Sequence, residues 1–183
     1  MGYIFSQTEK ALAKCGTRDP YELLDSIGAV TKLSHEFSHD GLKGFSTILN
    51  RTMYAVVNAN LDEYERRIVA GHEAAHLVLH KKEILISPAK TMKDFNLWNS
   101  SGKLEHQANR FLADFLVSDE EVMDIVSSED NDYFAVASQL FFPPPLFAFK
   151  LYSMIHRGFK LRSPADLQSG FLANKHTFRR THE

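Results

Sequence analysis

The segment from Asn60 to His80 constrains this chain more than any other. Asn60, with Glu63 three residues later, reads as a capping-box start. The pattern behind it predicts a long helix ending near His80. Ile68, Val69, Ala70, Leu77, Val78 and Leu79 lie on all sides of that helix at about 100° per residue, which marks it as buried. Within it, His72, Glu73 and His76 fall inside one arc of about 100°. Two imidazoles and a carboxylate are costly in a core unless something pairs with them. On a helix, residues i and i+4 share a face, so His72 and His76 can grip one metal ion. Glu73 then sits beside the ion's open position, where it can take a proton from bound water. A hydrogen-bonded histidine pair is the plain alternative; a zinc site accounts better for the cost.

The same five-residue pattern occurs earlier, at His35-Glu36-Phe37-Ser38-His39. Leu33-Ser34 before it and Asp40-Gly41 after it are turn chemistry, with no amphipathic continuation. This copy reads as a coincidence in a loop.

The chain has nine histidines and one cysteine, so any metal site must be built from nitrogen and oxygen. A catalytic zinc needs a third protein ligand and keeps a fourth position for water. Two downstream pairs qualify: Glu105 with Asn109, and Glu120 with Asp124. In the helix predicted from Lys103 to Val117, the apolar set is Leu104, Ala108, Phe111, Leu112, Phe115 and Leu116, which turns Glu105 toward the core. A lone inward carboxylate is odd unless it is a ligand. In the next helix Val122, Ile125 and Val126 face inward, leaving Glu120 and Asp124 on an acidic surface with Asp119 and Glu121. Glu105 is therefore the third ligand, and Asn109, one turn on, can hydrogen-bond a ligating histidine. His80 lies about 12 Å along the axis from His72, too far for the same ion. It reads as a supporting or helix-end residue. His106 is adjacent to Glu105, with its direction open.

At 183 residues, 44 % hydrophobic and 24 % charged, the chain suits one globular domain. The formal net charge of −2 offers no overall basic field for nucleic acid. The C-terminal stretch is locally basic, with Lys150, Arg157, Lys160, Arg162, Lys175, Arg179 and Arg180 against Asp166 and Glu183. That reads as a solvated or docking surface, and direct nucleic-acid binding is disfavoured. The expected division is a domain over 1–163 and a basic tail over 164–183, its last dozen residues poorly ordered. No apolar run approaches the length of a membrane span. The first residues resemble no secretory signal, and Cys15 has no internal partner, so a cytoplasmic location is expected.

Elsewhere the pattern predicts helices at Ser6–Cys15, Tyr21–Ile27, Ser118–Ser127, Asp132–Leu140 and Leu146–His156. A strand is expected at Ala29–Leu33, and a hairpin of Leu42–Leu49 and Met53–Asn58 about Asn50-Arg51. Ser87–Asn99 reads as a loop.

With these residues in place, the chain resembles the ImmA/IrrE family of zinc metallo-endopeptidases from about Gly16 to Leu161. The resemblance is carried by Thr17-Arg18-Asp19-Pro20, Leu42-Lys43-Gly44-Phe45, Tyr54-Ala55-Val56-Val57-Asn58 and the His72–His76 motif. Glu105-His106-Gln107-Ala108-Asn109-Arg110-Phe111 looks like the family's second motif, Glu-x-x-Ala-Asn-x-Phe. Ala74-Ala75 stands where Leu-Gly is common, and Phe115-Leu116-Val117-Ser118 lacks the frequent Leu-Leu-Met-Pro ending; neither change touches a proposed ligand.

The resemblance implies a zincin-like α+β fold: a small, twisted, mostly antiparallel sheet packed on the buried motif helix, with further C-terminal helices. It implies one Zn²⁺ per chain on His72, His76 and Glu105, with Glu73 as general base. The implied activity is peptide-bond hydrolysis, cutting a helix-turn-helix repressor to relieve repression. It further suggests that the strand at Met53–Asn58 lines the cleft. Hydrolysis also needs a donor for the oxyanion, for which His106, His80 and Tyr133 are candidates among which the sequence does not choose. The rival reading is a zinc-containing antirepressor that binds a repressor without cutting it. A fourth ligand, from His106 or His80, would mark such a closed site.

Overall fold

The computed structural model describes residues 2–89, 91–94, 102–126 and 132–161. Two short helices lead in: α1 (Tyr3–Cys15) and α2 (Pro20–Ser26), followed by β1 (Ala29–Ser34). The chain then forms β2 (Gly44–Leu49), β3 (Thr52–Asn58), the central α3 (Glu63–Leu79), α4 (Lys81–Ile86) and β4 (Thr91–Asp94). The C-terminal half is helical: α5 (Lys103–Leu116), α6 (Asp119–Val126), α7 (Tyr133–Gln139) and α8 (Pro144–His156). The expected tail, and His176 and His182 within it, lie outside the described residues.

The sheet has the order β1-β3-β2-β4, with β1 parallel to β3 and the other two pairings antiparallel. The β2–β3 hairpin turns at Asn50 and Arg51, whose φ values of 49° and 67° both lie in the left-handed region. Two such residues make the turn that matches strand twist. β3 is hydrogen-bonded on both sides, so it has no edge to offer a peptide. The cleft-lining role expected for Met53–Asn58 is therefore corrected: among the described residues the edge strands are β1 and β4.

One face of the sheet packs on α3, and α5 packs on the other side of that helix. Two glycines permit these close approaches. A Cβ on Gly44 would meet Val69 Cγ1 at 2.6 Å and Glu73 Oε1 at 2.9 Å; one on Gly71 would meet Leu112 Cδ1 at 2.5 Å. Ile68 through Leu77 are all buried, as a helix apolar on every side requires.

Several local expectations need correction. The α3 cap is Asp62, whose side chain accepts from Glu65 N at 2.7 Å. Asn60 instead spends its amide on the carbonyls of His35 and Phe37, at 3.3 and 2.6 Å, tying down the loop before the hairpin. α1 starts at Tyr3 after Gly2, not at a Ser6 cap. α4, and β4 inside the expected Ser87–Asn99 loop, were not foreseen. β4 is only four residues long, and its pairing with β2 is a long-range contact that no local pattern announces. Residues 90 and 95–99 of that stretch, including Trp98, lie outside the described residues. The box at α6 is as expected: Ser118 Oγ accepts from Glu121 N, and Glu121 Oε2 accepts from Ser118 N.

Asp119 does not belong to the solvated acidic surface, nor Lys150 and Arg157 to a basic docking surface. Lys150, 1 % exposed, donates to Asp119 Oδ1 at 2.8 Å and Asp114 Oδ1 at 3.3 Å. Arg157 pairs with both Asp119 oxygens. The network ties α5, α6 and α8 together. Arg18, from the motif before α2, donates to the carbonyls of Asp114 and Phe115, satisfying the C-terminal end of α5. The helix that carries Glu105 is thus held at its far end by buried charge.

Candidate metal centre

His72 and His76 stand one turn apart on α3, both fully buried, and Glu105 reaches them from the first turn of α5. His72 Nε2 lies 3.0 Å from His76 Nε2 and 3.1 Å from Glu105 Oε2; the third side of the triangle is 3.4 Å. Ligands about 2.0–2.1 Å from a tetrahedral zinc lie about 3.3–3.4 Å from each other. The triangle is thus close to one face of such a tetrahedron. Among the described residues, these three form the group of His, Cys, Asp or Glu side chains able to hold a metal ion.

The outer hydrogen bonds decide what the inward atoms carry. His72 Nδ1 lies 3.0 Å from Asn109 Oδ1, an oxygen that can only accept, so His72 carries its proton on Nδ1. His76 Nδ1 lies 3.0 Å from His80 Nδ1. With the proton of that bond on His76, both Nε2 atoms turn lone pairs into the triangle. Two lone pairs and a carboxylate oxygen repel one another unless a cation sits among them, and this is the donor chemistry of zinc.

Glu73 is fully buried beside His72, its Oε1 close to the backbone of Gly44 on β2. The missing Cβ at Gly44 leaves room for that carboxylate.

His80 is 2 % exposed and sits behind His76, away from the ligand triangle, with Nε2 3.0 Å from Gln107 Oε1. Burial pushes its pKa down, partly opposed by the Gln107 hydrogen bond. His106 is exposed and packs against Phe149 and Tyr152 of α8, with ring centroids 5.1 and 5.9 Å away. Burial of its ring, then the charge of Arg110, pushes its pKa down. Neither histidine offers a nitrogen to the triangle in this arrangement. Tyr133 is a core residue whose hydroxyl donates to the Pro144 carbonyl, and burial pushes its pKa up. The three residues weighed for the oxyanion are therefore each engaged elsewhere.

The early copy of the motif is different in kind. His35, Glu36 and His39 are exposed and non-helical, and His39 pairs with exposed Asp40 at 3.1 Å and with Glu65 at 3.8 Å. Sequence reasoning missed Gln107, whose side chain is brought to His80 by the docking of α5 on α3. No periodicity singles it out.

No single helix among the described residues is long and apolar enough to cross a membrane. The model of a peptidase family described as the IrrE N-terminal-like domain matches residues 30–148, the stretch that holds β1 to the start of α8. The chain is also similar to uncharacterised immunity region protein 2 of Bacillus phage phi105. The two are 31 % identical over 116 residues, covering 63 % of this chain and 69 % of the phage protein.

Proposed function

Since this chain belongs to the IrrE N-terminal-like peptidase family, we propose that it is a zinc-dependent endopeptidase that cuts a helix-turn-helix repressor. The observation that carries this reading is the triangle of His72 Nε2, His76 Nε2 and Glu105 Oε2 with a buried glutamate beside it. A three-ligand set leaves a position for water and substrate, whereas structural zinc is usually closed by four protein ligands. The phage relative is named for an immunity region, which supports a repressor-linked role.

Zinc, when bound, would acidify a water molecule and polarise the scissile carbonyl. His72, His76 and Glu105 would hold the ion, and Asn109 and His80 would keep the two rings turned toward it. Glu73 takes the proton of the attacking water and delivers it to the departing amine. Its full burial excludes competing solvent from that transfer. An extended peptide finds its backbone partner at the edge strand β4, which is in register with Gly44 next to Glu73. The site operates inside the cytoplasm, where its repressor substrate resides.

The test is Glu73→Gln, with zinc content and cleavage of a helix-turn-helix repressor as readouts. Zinc is retained and cleavage falls about 10²–10⁴-fold, the usual worth of a general base. Cleavage at the wild-type rate overturns the mechanism. A wild-type protein that binds zinc and repressor but never cuts it is the antirepressor.

A further inference from the structure

The hydrogen-bond chain behind His76 can run in two directions, and they are not equivalent. In one, His76 Nδ1–H donates to His80 Nδ1, and His80 Nε2–H donates to Gln107 Oε1. In the other, the Gln107 amide donates to His80 Nε2 and His80 Nδ1–H donates to His76 Nδ1. A neutral imidazole has one donor and one acceptor, so fixing one end of the chain fixes the other. Only the first direction leaves the His76 Nε2 lone pair facing His72 and Glu105. The second places a proton on that nitrogen, inside the ligand triangle.

We propose that Gln107, acting as an acceptor through His80, sets the tautomer of His76 and so makes this histidine able to bind metal. Gln107 and His80 are then positioning residues, and the inference rests on the zinc reading of the site. One helix supplies the whole arrangement: α5 carries Glu105, the Asn109 that orients His72, and the Gln107 that orients His76 from two links away. His80 is part of the core, whereas Gln107 is half-buried and outside the ligand set, so it can be changed with less risk to folding.

The test varies Gln107 as Leu, Glu and Lys and measures affinity for zinc alone by competition with a chelator. Glu keeps an acceptor and holds affinity near wild type. Leu removes the acceptor and Lys replaces it with a donor, and each lowers affinity about 10–100-fold, the usual cost of losing a group that orients a ligand. At His80, Gln can accept from His76 and restores binding that Leu loses. Thermal unfolding of the metal-free variants must not follow the same order, since a merely structural role would make it do so.

The second readout is direct: imidazole ¹⁵N shifts report which nitrogen of His80 bears the proton. The expected result is Nε2–H in the wild type and in Gln107→Glu, moving to Nδ1–H in Gln107→Lys. Nδ1–H in the wild type, or unaltered zinc affinity in both Leu and Lys variants, overturns the proposal. The shifts are read on metal-free protein as well. Failure to bind zinc at all therefore sinks the zinc reading, while the His80 tautomer is still judged by itself.

Discussion

The chain contains His-Glu-x-x-His twice, at residues 35–39 and at 72–76, and the two copies share their chemistry and nothing else. The first lies in a bend region after β1, its histidines exposed and its backbone pinned by Asn60 to the carbonyls of His35 and Phe37. The second lies in a helix buried between a sheet and α5, with every histidine nitrogen engaged. The difference shows what the motif needs. Helical periodicity aligns the two imidazoles, and burial removes water as a competing partner. A second helix brings the carboxylate and the groups that fix the tautomers.

The widest separation between the copies is expected in metal content. His76→Ala loses the bound zinc and with it all cleavage, whereas His39→Ala retains one zinc per chain by elemental analysis. Equal zinc in both variants would undo the assignment. Glu36→Gln is the matching control for Glu73→Gln and leaves the rate of repressor cleavage unchanged.

Glycines near each copy separate them next. Gly44→Ala drives a methyl group into Val69, Glu73 and the Val56 carbonyl, at 2.6, 2.9 and 3.0 Å, where sheet and helix cannot easily part. Overpacking of this kind costs about 1–3 kcal/mol, visible as a lower denaturant midpoint. Displacement of Glu73 lowers cleavage as well. Gly41→Ala meets mainly Ser38 Oγ, a side chain that can rotate away, and changes neither quantity measurably.

Acid stability gives a comparable contrast. Burial pushes the Asp119 pKa up, but hydrogen bonds and charge from Arg157 and Lys150 win and lower it from 3.8 to about 2. A folded-state pKa below the unfolded one stabilises above the unfolded value, and that gain is lost as pH falls through the folded value. The pair interactions of Asp119 therefore contribute up to about 2 kcal/mol above pH 4, declining between roughly pH 4 and 2. Asp119→Asn flattens the stability profile in that window. Asp40→Asn, which removes an exposed partner of His39, changes stability at neutral pH by less than about 1 kcal/mol.

Much of this architecture is legible in local pattern. The α3 segment announces its burial through apolar residues on all sides. The α6 box and the Asn50-Arg51 turn follow from local hydrogen bonding and backbone preference. The dismissal of the first motif copy rested on turn residues, and the structure puts that copy in a loop. The choice of Glu105 over Glu120 needed only a helical wheel, and the structure brings Glu105 to the two histidines. Asn60 misled because it has the letters of a cap while its amide answers carbonyls 23 and 25 residues away. Lys150, Arg157 and Asp119 misled similarly: charges read as solvated when their partners come from other helices.

By itself, the amino-acid order determined most of the elements, α4 and β4 excepted, and which side chains share a face, because periodicity and capping act over one or two turns of chain. Only tertiary structure decided that β3 is central and β4 an edge, and that His80 stands behind His76 instead of beside it. The same holds for Gln107 closing the hydrogen-bond chain. Those outcomes depend on how α3, α5 and the sheet dock. Docking sets distances between residues far apart in the chain, which no local pattern encodes.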